Sequence, residues 1–169
     1  MKSNRKPYFN VYKPLSKEDA GAALQFSYDS HKRAIFLEAA RQKGVKLEIG
    51  SKEQFDWDNK IVFKIGVADI GKLLLLFSGH EKEVKCLHSQ TDTGRTSVLE
   101  VVAGVYKDKP NFQLRLSRTA DKQTQRVGMF LNQEEMSVLA HFIRESLTRM
   151  LGFEDPKSKW LDRALEIEE

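Results

Sequence analysis

The sequence predicts an α+β fold in which four strands and a helix follow one another twice along the chain. Eight short segments have the pattern of strands, most of them alternating between apolar and polar residues, and two segments repeat apolar residues every three or four positions. Polar turn sequences separate most of the strands. Strands this close in sequence pair antiparallel. We therefore expect two four-stranded antiparallel sheets, each followed by a helix (ββββα-ββββα), with the helices on one side.

The spacing of apolar residues changes most clearly from a strand pattern to a helix pattern in the stretch from Glu53 to Gly79. Apolar residues alternate with others over Lys60–Val67, which predicts a strand with one buried face. From Ala68 onward apolar residues recur every three or four positions, which predicts a short helix that ends at Gly79. A helix this short and apolar is unstable alone in water, so we expect it to pack on a sheet or on another subunit.

Three further strands precede this stretch, and four follow it. The first half predicts strands at Tyr8–Lys13, Ala22–Tyr28 and Ala34–Arg41, with a charged loop before the fourth strand. The second half predicts strands at Val84–His88, Ser97–Tyr106, Phe112–Ser117 and Val127–Leu131, with a polar loop between the last two. A turn is expected at Lys107–Asn111, because neither proline nor asparagine suits a central strand.

The second helix follows the last strand directly. Asn132 stands at an N-cap position with Glu135 three residues later, which predicts a capping box, and Gly152 ends the helix. Apolar residues recur at helical spacing from Met136 to Leu151. This stripe is either core or oligomer interface. We assign to the interface Met136, Leu139, Ile143, Leu147 and Met150.

The charge of the chain is unevenly distributed. The net charge is +4 over 169 residues; residues 1–50 carry ten Lys and Arg against five Asp and Glu, and residues 154–169 carry three against six. A basic body with an acidic tail suits a protein that binds a polyanion and whose tail competes for the same surface, although solvated faces and a frayed end explain it too. We expect a disordered N-terminus at 1–6, one domain at 7–153 and an acidic tail at 154–169.

Several classes of protein do not fit the sequence. No apolar run is long enough to span a bilayer, and the N-terminus lacks the pattern of a signal peptide. One cysteine, Cys86, excludes an internal disulfide, and the histidines are scattered without the spacing of metal ligands. No phosphate-binding loop or nucleophile motif is present. We expect no enzyme, no metal, no cofactor and no membrane association.

A family resemblance rests on the central stretch and on matches in order around it. The central residues are Gln54-Phe55-Asp56-Trp57, Lys60, Val62-Phe63 and Val67-Ala68-Asp69-Ile70-Gly71. The other matches are Ala22-Ala23-Leu24, His88, Gly94-Arg95 and Met150-Leu151-Gly152-Phe153. This pattern resembles the Whirly family of single-stranded-DNA-binding proteins, whose fold is shared by the mitochondrial guide-RNA-binding proteins and positive cofactor four. The resemblance runs from about Tyr8 to Phe153.

The resemblance implies a protein that binds single-stranded DNA with little sequence preference and coats or protects it in replication, recombination, repair or transcription. It also implies a homotetramer with the second helices at its centre. The family has a lysine-glycine-lysine motif where this chain has Asp19, Ala20 and Gly21. This departure leaves assembly into larger particles open and moves the basic contribution elsewhere, to residues such as Lys17.

The predicted binding residues are aromatic and cationic side chains, together with Gln25, on or beside the solvent face of the strands. Sequence-tolerant binding of a single strand needs cations for the phosphates and aromatic faces for the bases. Each aromatic, Trp57 included, has a structural alternative as a core or turn residue. The predicted residues are Tyr12, Lys13, Gln25, Lys32, Arg33, Phe36, Trp57, Lys60, Lys64 and Arg115.

Two alternative functions stay open at this stage. The first is an RNA-binding or annealing protein like the guide-RNA binders, because only contacts to the 2′-hydroxyl separate RNA from DNA. The second is a protein-interaction scaffold or transcription cofactor, with protein partners for the acidic tail. The expected location is the cytoplasm of a bacterium or a phage-infected cell, or an organelle if a transit peptide has been removed.

Overall fold

The computed structural model describes residues 7–15, 21–43 and 54–153, and these form two four-stranded sheets and two helices. The first half contains β1 (Tyr8–Lys13), β2 (Ala22–Asp29), β3 (Ala34–Arg41), β4 (Ile61–Ile65) and α1 (Val67–Phe77). The second half contains β5 (Glu83–Gln90), β6 (Arg95–Tyr106), β7 (Lys109–Ala120), β8 (Gln123–Asn132) and α2 (Gln133–Met150). The expectations for residues 1–6, Lys17, Asp19, Ala20 and 154–169 lie outside the described residues.

The strand order confirms the predicted fold class. The first sheet has the order β1-β2-β3-β4 and the second β5-β6-β7-β8, and every neighbouring pair is antiparallel. Each sheet is followed in the chain by its helix. The architecture is ββββα repeated, as the alternation of the sequence predicts.

Both sheets share one hydrophobic core with the two helices. We define the inner face of each sheet as the face that carries these core side chains and the outer face as its opposite. Phe26 and Phe63 come from the first sheet, Leu114 from the second, Ile70 from α1 and Ile143 from α2, and all five are buried. Burying one large apolar side chain contributes about 1.5–3 kcal/mol, so the core is the main stabilising element of the fold.

The first helix begins one residue earlier than the sequence pattern indicates. Val67, expected to end the strand facing inward, is instead the first residue of α1 and half exposed. The Asp69 carboxylate accepts a hydrogen bond from the Gly66 N–H at 3.0 Å, which fixes the helix start at that residue. Gly79 follows the helix with φ +77°, the left-handed conformation that glycine adopts without strain, and confirms the predicted end.

The turn predicted at Lys107–Asn111 is shorter in the structure. Only Lys107 and Asp108 lie outside the strands, with φ of +49° and +60°, the signs of a type I′ hairpin turn. Pro110 belongs to β7 and pairs with Val105. It is tolerated there because β8 pairs with β7 only from Asn111 onward, so this end of β7 has a neighbour on one side only.

The polar loop expected before the last strand is a hairpin as well. Asp121 and Lys122 form its two-residue turn, with φ of +50° and +62°. β7 and β8 pair in continuous register from Ala120 and Gln123 to Asn111 and Asn132. The second sheet is therefore longer than predicted, and residues 118–126 are paired strand and turn.

The second helix starts with the predicted capping box. Asn132 Oδ1 accepts from the Glu135 N–H at 2.8 Å, and Glu135 Oε2 accepts from the Asn132 N–H at 2.9 Å. At the other end Gly152 has φ +80°. Both predicted boundaries of this helix are confirmed.

Replacing Asn132 by alanine is expected to destabilise the fold by about 1 kcal/mol, because one N-terminal amide of α2 then loses its acceptor. Thermal or urea unfolding followed by circular dichroism measures the change. The matched control is Asn132→Ser, which keeps a capping oxygen and is expected to retain most of the stability. Equal stability of the alanine variant and the natural protein would contradict the capping role.

The apolar stripe of α2 packs within the chain. The side chains of Met136, Leu139, Ile143 and Met150 are buried against the sheets, and Leu147 is partly buried at the edge of the core. These side chains therefore contribute to the core of their own chain, which is one of the two alternatives for this stripe, and a contact with a partner subunit stays a prediction. The outward side of α2 carries other residues.

Candidate nucleic-acid interface

The outer face of the first sheet carries an aromatic and cationic patch. Strand register places Tyr8, Ser27, Phe36 and Lys64 in one row across β1, β2, β3 and β4. Tyr8 is 62% exposed, and the Lys32 ammonium lies 5.2 Å from the centre of the Phe36 ring. We refer to Tyr8, Lys32, Phe36 and Lys64 as the Phe36 patch. It brings three of the predicted residues together and adds Tyr8.

The neighbouring row on this face is polar apart from Val62. It consists of Asn10, Gln25, Glu38 and Val62. Lys60, from the segment before β4, pairs with Glu38 at 2.8 Å. Gln25 therefore lies on the predicted face, whereas the charge of Lys60 is offset by a carboxylate.

A small aromatic cluster covers one end of the outer face. Phe55 is fully buried over Ala23 and Ala40, and Tyr12 and Trp57 pack against it, with the Tyr12 and Phe55 rings 5.8 Å apart. Small residues beneath Phe55 leave room for its ring. Trp57 is half buried, and its indole Nε1 is enclosed without a hydrogen-bond partner among the described residues. Tyr12 and Trp57 are thus partly structural residues that border the face.

Lys13 and Arg33 lie away from the outer face. Lys13 has the inward phase of β1 and forms an ion pair with Glu135 of α2 at 2.6 Å. One Arg33 guanidinium nitrogen lies 3.8 Å from the position a Cβ on Gly152 would occupy, so this side chain is next to the C-terminal end of α2. A cation is favourable there because the last carbonyls of a helix carry partial negative charge. The structure separates both residues from the Phe36 patch.

Arg115 lies on the outer face of the second sheet, in a groove of about 890 Å³. The outward residues of β7 and β8 form its floor, and Lys13 and Leu15 at the end of the first sheet form a wall. Arg126, Gly128 and Phe130 line it as well. The sequence analysis missed these three, although an aromatic at the outward phase of β8 is a signal that alternation alone could have supplied.

The cations of these two surfaces differ in whether they have an acidic partner. Lys13, Lys60 and Lys85 form ion pairs with Glu135, Glu38 and Glu100. Within residues 7–15, 21–43 and 54–153, no carboxylate forms an ion pair with Lys32, Lys64, Arg115 or Arg126. Phosphate oxygens are the natural partners of such cations, so both outer faces offer anion-binding groups.

His88 connects the two halves on the inner side. Its Nε2 lies 3.0 Å from Asp69 Oδ2 at the start of α1, and its ring stacks on Phe63 of the first sheet with centres 4.3 Å apart. These contacts join β5, α1 and β4. His88 is therefore a structural residue, and no group of three potential metal ligands occurs in the described part of the chain.

Cys86 lies close to this connection and is fully buried. Burial, together with a smaller contribution from the neighbouring Asp69 carboxylate, raises the pKa of its thiol from 9.0 to about 12. Such a change lowers the thiolate fraction at neutral pH by roughly 1000-fold.

We expect a maleimide to label Cys86 at neutral pH only after denaturant is added. Labelling is measured by mass spectrometry, and rapid labelling of the folded protein would contradict this burial.

Comparison with solved structures identifies the architecture. No protein-family model and no curated protein sequence matches the chain. WHY1 from Arabidopsis thaliana superimposes with a TM-score of 0.67 at 20% identity, over 99% of this chain and 94% of that one. The chain has the Whirly fold.

Two further solved structures share this Whirly fold. Trypanosoma brucei MRP1/MRP2 superimposes with a TM-score of 0.69 at 16% identity over 89% of each chain. A guide-RNA-binding protein complex bound to a guide RNA gives a TM-score of 0.69 at 17% identity, over 89% of this chain and 95% of that one. The TM-scores establish the shared fold, but sequence identities this low do not establish a shared function.

No described helix is long and apolar enough to cross a membrane.

Proposed function

We propose that this protein binds single-stranded nucleic acid, with DNA as its principal ligand, through the outer faces of its sheets. The observation that carries the proposal is the Phe36 patch. Its aromatic rings lie on the sheet face opposite the helices, and its two lysines have no carboxylate partner among the described residues. Binding of this kind coats and protects a single strand in replication, recombination, repair or transcription.

The patch supplies the two interactions that single-strand binding needs. Phosphates attract Lys32 and Lys64 and release counterions, and a base stacks on an aromatic face with about 1–3 kcal/mol. Neither interaction reads the sequence of the strand, because every nucleotide has a phosphate and a planar base. The protein is therefore expected to bind with little sequence preference and with strong dependence on salt.

RNA is the second candidate ligand. One of the structures with the same fold is described as a guide-RNA-binding protein complex bound to a guide RNA, and another as the plant transcriptional regulator PBF-2. Stacking and phosphate contacts serve RNA as well as DNA, and only the 2′-hydroxyl distinguishes the two. The face carries Gln25 beside the patch, a side chain able to bond a hydroxyl.

Fluorescence anisotropy tests the proposal. Single-stranded DNA, single-stranded RNA and duplex DNA of equal length are titrated with the full chain at several salt concentrations. We expect both single strands to bind more tightly than the duplex, with DNA ahead of RNA and affinity falling as salt rises. Absence of binding to all three at low salt would refute the function, and tighter binding of RNA would assign the protein to the second candidate.

We further propose that the protein assembles as a homotetramer through the outward sides of its helices. Apolar side chains are exposed there, including Val67 and Leu75 on α1, Val138 on α2 and Leu151 directly after α2. Exposed apolar side chains on the two helices favour association between subunits, because contact with a partner removes them from water. Light scattering of the free protein measures the mass, and a monomer at micromolar concentration would refute this assembly.

A further inference from the structure

The outward side of α2 carries two potential metal ligands near its middle. Four exposed residues follow one another there at helical spacing and form one row along the helix: Glu134, Val138, His141 and Glu145. His141 and Glu145 are one turn apart, so their Cβ atoms are about 5–6 Å from each other. An imidazole and a carboxylate on adjacent turns of one helix face are placed to bind the same metal ion.

Both side chains are without a competing partner in the part of the chain that the structure describes. No ion pair involves His141 or Glu145, although Arg149 lies one turn beyond Glu145 on the same helix. Arg144 and Arg149 lie on the two flanks of the row, and both are exposed. The imidazole and the carboxylate are therefore available to a ligand.

The proposed assembly through the helices brings this row into a contact between copies. Val138 is 55% exposed and lies one turn before His141. A contact that removes Val138 from water also removes its neighbours in the row from water. A carboxylate is strongly disfavoured in such a place unless it is paired or coordinates a metal. Assembly therefore requires a group that neutralises Glu145.

The position of His141 along the helix favours a shared site. α2 spans Gln133–Met150, and His141 is at its midpoint. In a symmetric contact the same surface of each copy meets, so residues at the centre of the contact lie next to their own counterparts. Two α2 helices that cross near their midpoints bring together two imidazoles and two carboxylates. Four nitrogen and oxygen ligands match the tetrahedral coordination of Zn²⁺.

We propose that His141 and Glu145 of two copies form a transition-metal site between their second helices, with Zn²⁺ as the ion that fits best. The inference rests on the proposed assembly and makes that assembly dependent on metal. One copy supplies only two ligands, and no group of three potential ligands occurs among the described residues, so the site is complete only between copies. Imidazole suits Zn²⁺, whereas Mg²⁺ prefers oxygen ligands and water.

Light scattering of the full chain over a dilution series tests the site, first after treatment with EDTA and then with ZnCl₂ added. One shared site is expected to lower the dissociation constant of the contact by about 100-fold when free Zn²⁺ is at about 100 times its own Kd. MgCl₂ at the same concentration is expected to leave the dissociation constant unchanged. Elemental analysis of the assembled protein measures the bound zinc, with one ion for every two chains expected.

Two variants remove the two kinds of ligand. His141→Ala and Glu145→Gln are each expected to abolish the response to Zn²⁺. The matched control is His31→Ala, which removes an exposed histidine from the turn between β2 and β3 and is expected to keep the full response. Circular dichroism confirms that each variant is folded.

The outcomes separate the metal site from the assembly itself. If the natural protein assembles and Zn²⁺ acts equally on it and on the His141 and Glu145 variants, the site is refuted although the assembly stands. If Zn²⁺ has no effect and Glu145→Gln weakens the assembly, Glu145 pairs with an arginine of a second copy and the metal site is refuted. If the natural protein is a monomer with and without Zn²⁺, both proposals fail.

Discussion

Replacing Ile143 by alanine is expected to lower the free energy of unfolding by about 2–5 kcal/mol. Ile143 has no exposed surface and borders a small void between the helices and the sheets, with Phe26 and Leu114 around it. Truncation removes apolar contacts and enlarges this void, which the surrounding strands cannot close because their positions are fixed by pairing in both sheets. Urea unfolding followed by circular dichroism measures the loss.

The same experiment separates a core residue from an interface residue. A core residue destabilises the fold by the same amount at every protein concentration, whereas loss at an interface depends on concentration. The control is Val105→Ala at the exposed end of β6, where the side chain is 74% exposed, with an expected change within about 0.5 kcal/mol. A change below 1 kcal/mol for Ile143→Ala, or one that disappears at high concentration, would contradict its place in the core.

Replacing Phe36 by alanine is expected to lower affinity for single-stranded DNA by about 5- to 150-fold, which corresponds to the 1–3 kcal/mol of one base stack. The Phe36 ring lies on the outer face with Lys32 beside it and Lys64 in the adjacent strand. Its loss removes a stacking surface and leaves the lysines in place. Affinity therefore falls while the salt dependence is retained, and anisotropy across a salt series measures both.

The control for this change is Phe153→Ala. Phe153 is an aromatic that is 68% exposed and lies in the segment directly after α2, outside both sheets. It is expected to leave affinity for DNA unchanged. Equal losses for the two phenylalanine variants would show that any exposed aromatic contributes, and an unchanged affinity for Phe36→Ala would contradict stacking at the patch.

The alternation of apolar and polar residues is sufficient to predict most of the strands and which side chains face the core. Period two places Phe63 and Leu114 inward and Phe36 and Lys64 outward, and the structure confirms these faces. The two hairpin turns of the second sheet were not predicted, and the reason is local. The turns at Lys107–Asp108 and Asp121–Lys122 take positive φ without glycine, so the residue types that signal such hairpins are absent.

Contacts between side chains that are distant in sequence could not be predicted from local patterns. Lys13 pairs with a glutamate 122 residues away, and Arg33 reaches the end of α2. Helical spacing from Met136 to Met150 is the same for a stripe that faces a sheet and for one that faces a partner. Only the position of α2 on the two sheets decides between these cases, and that position depends on long-range packing.

The most direct test of binding at the outer face compares two charge removals of equal size, one on the outer face of the first sheet and one on α2. Lys32→Gln/Lys64→Gln removes both cations of the Phe36 patch, and Arg144→Gln/Arg149→Gln removes two from α2. We expect the first pair to weaken binding to single-stranded DNA and to reduce the salt slope by about 1.4, and the second pair to leave the slope unchanged. Equal effects of the two pairs, or a larger effect of the α2 pair, would contradict binding through the outer face.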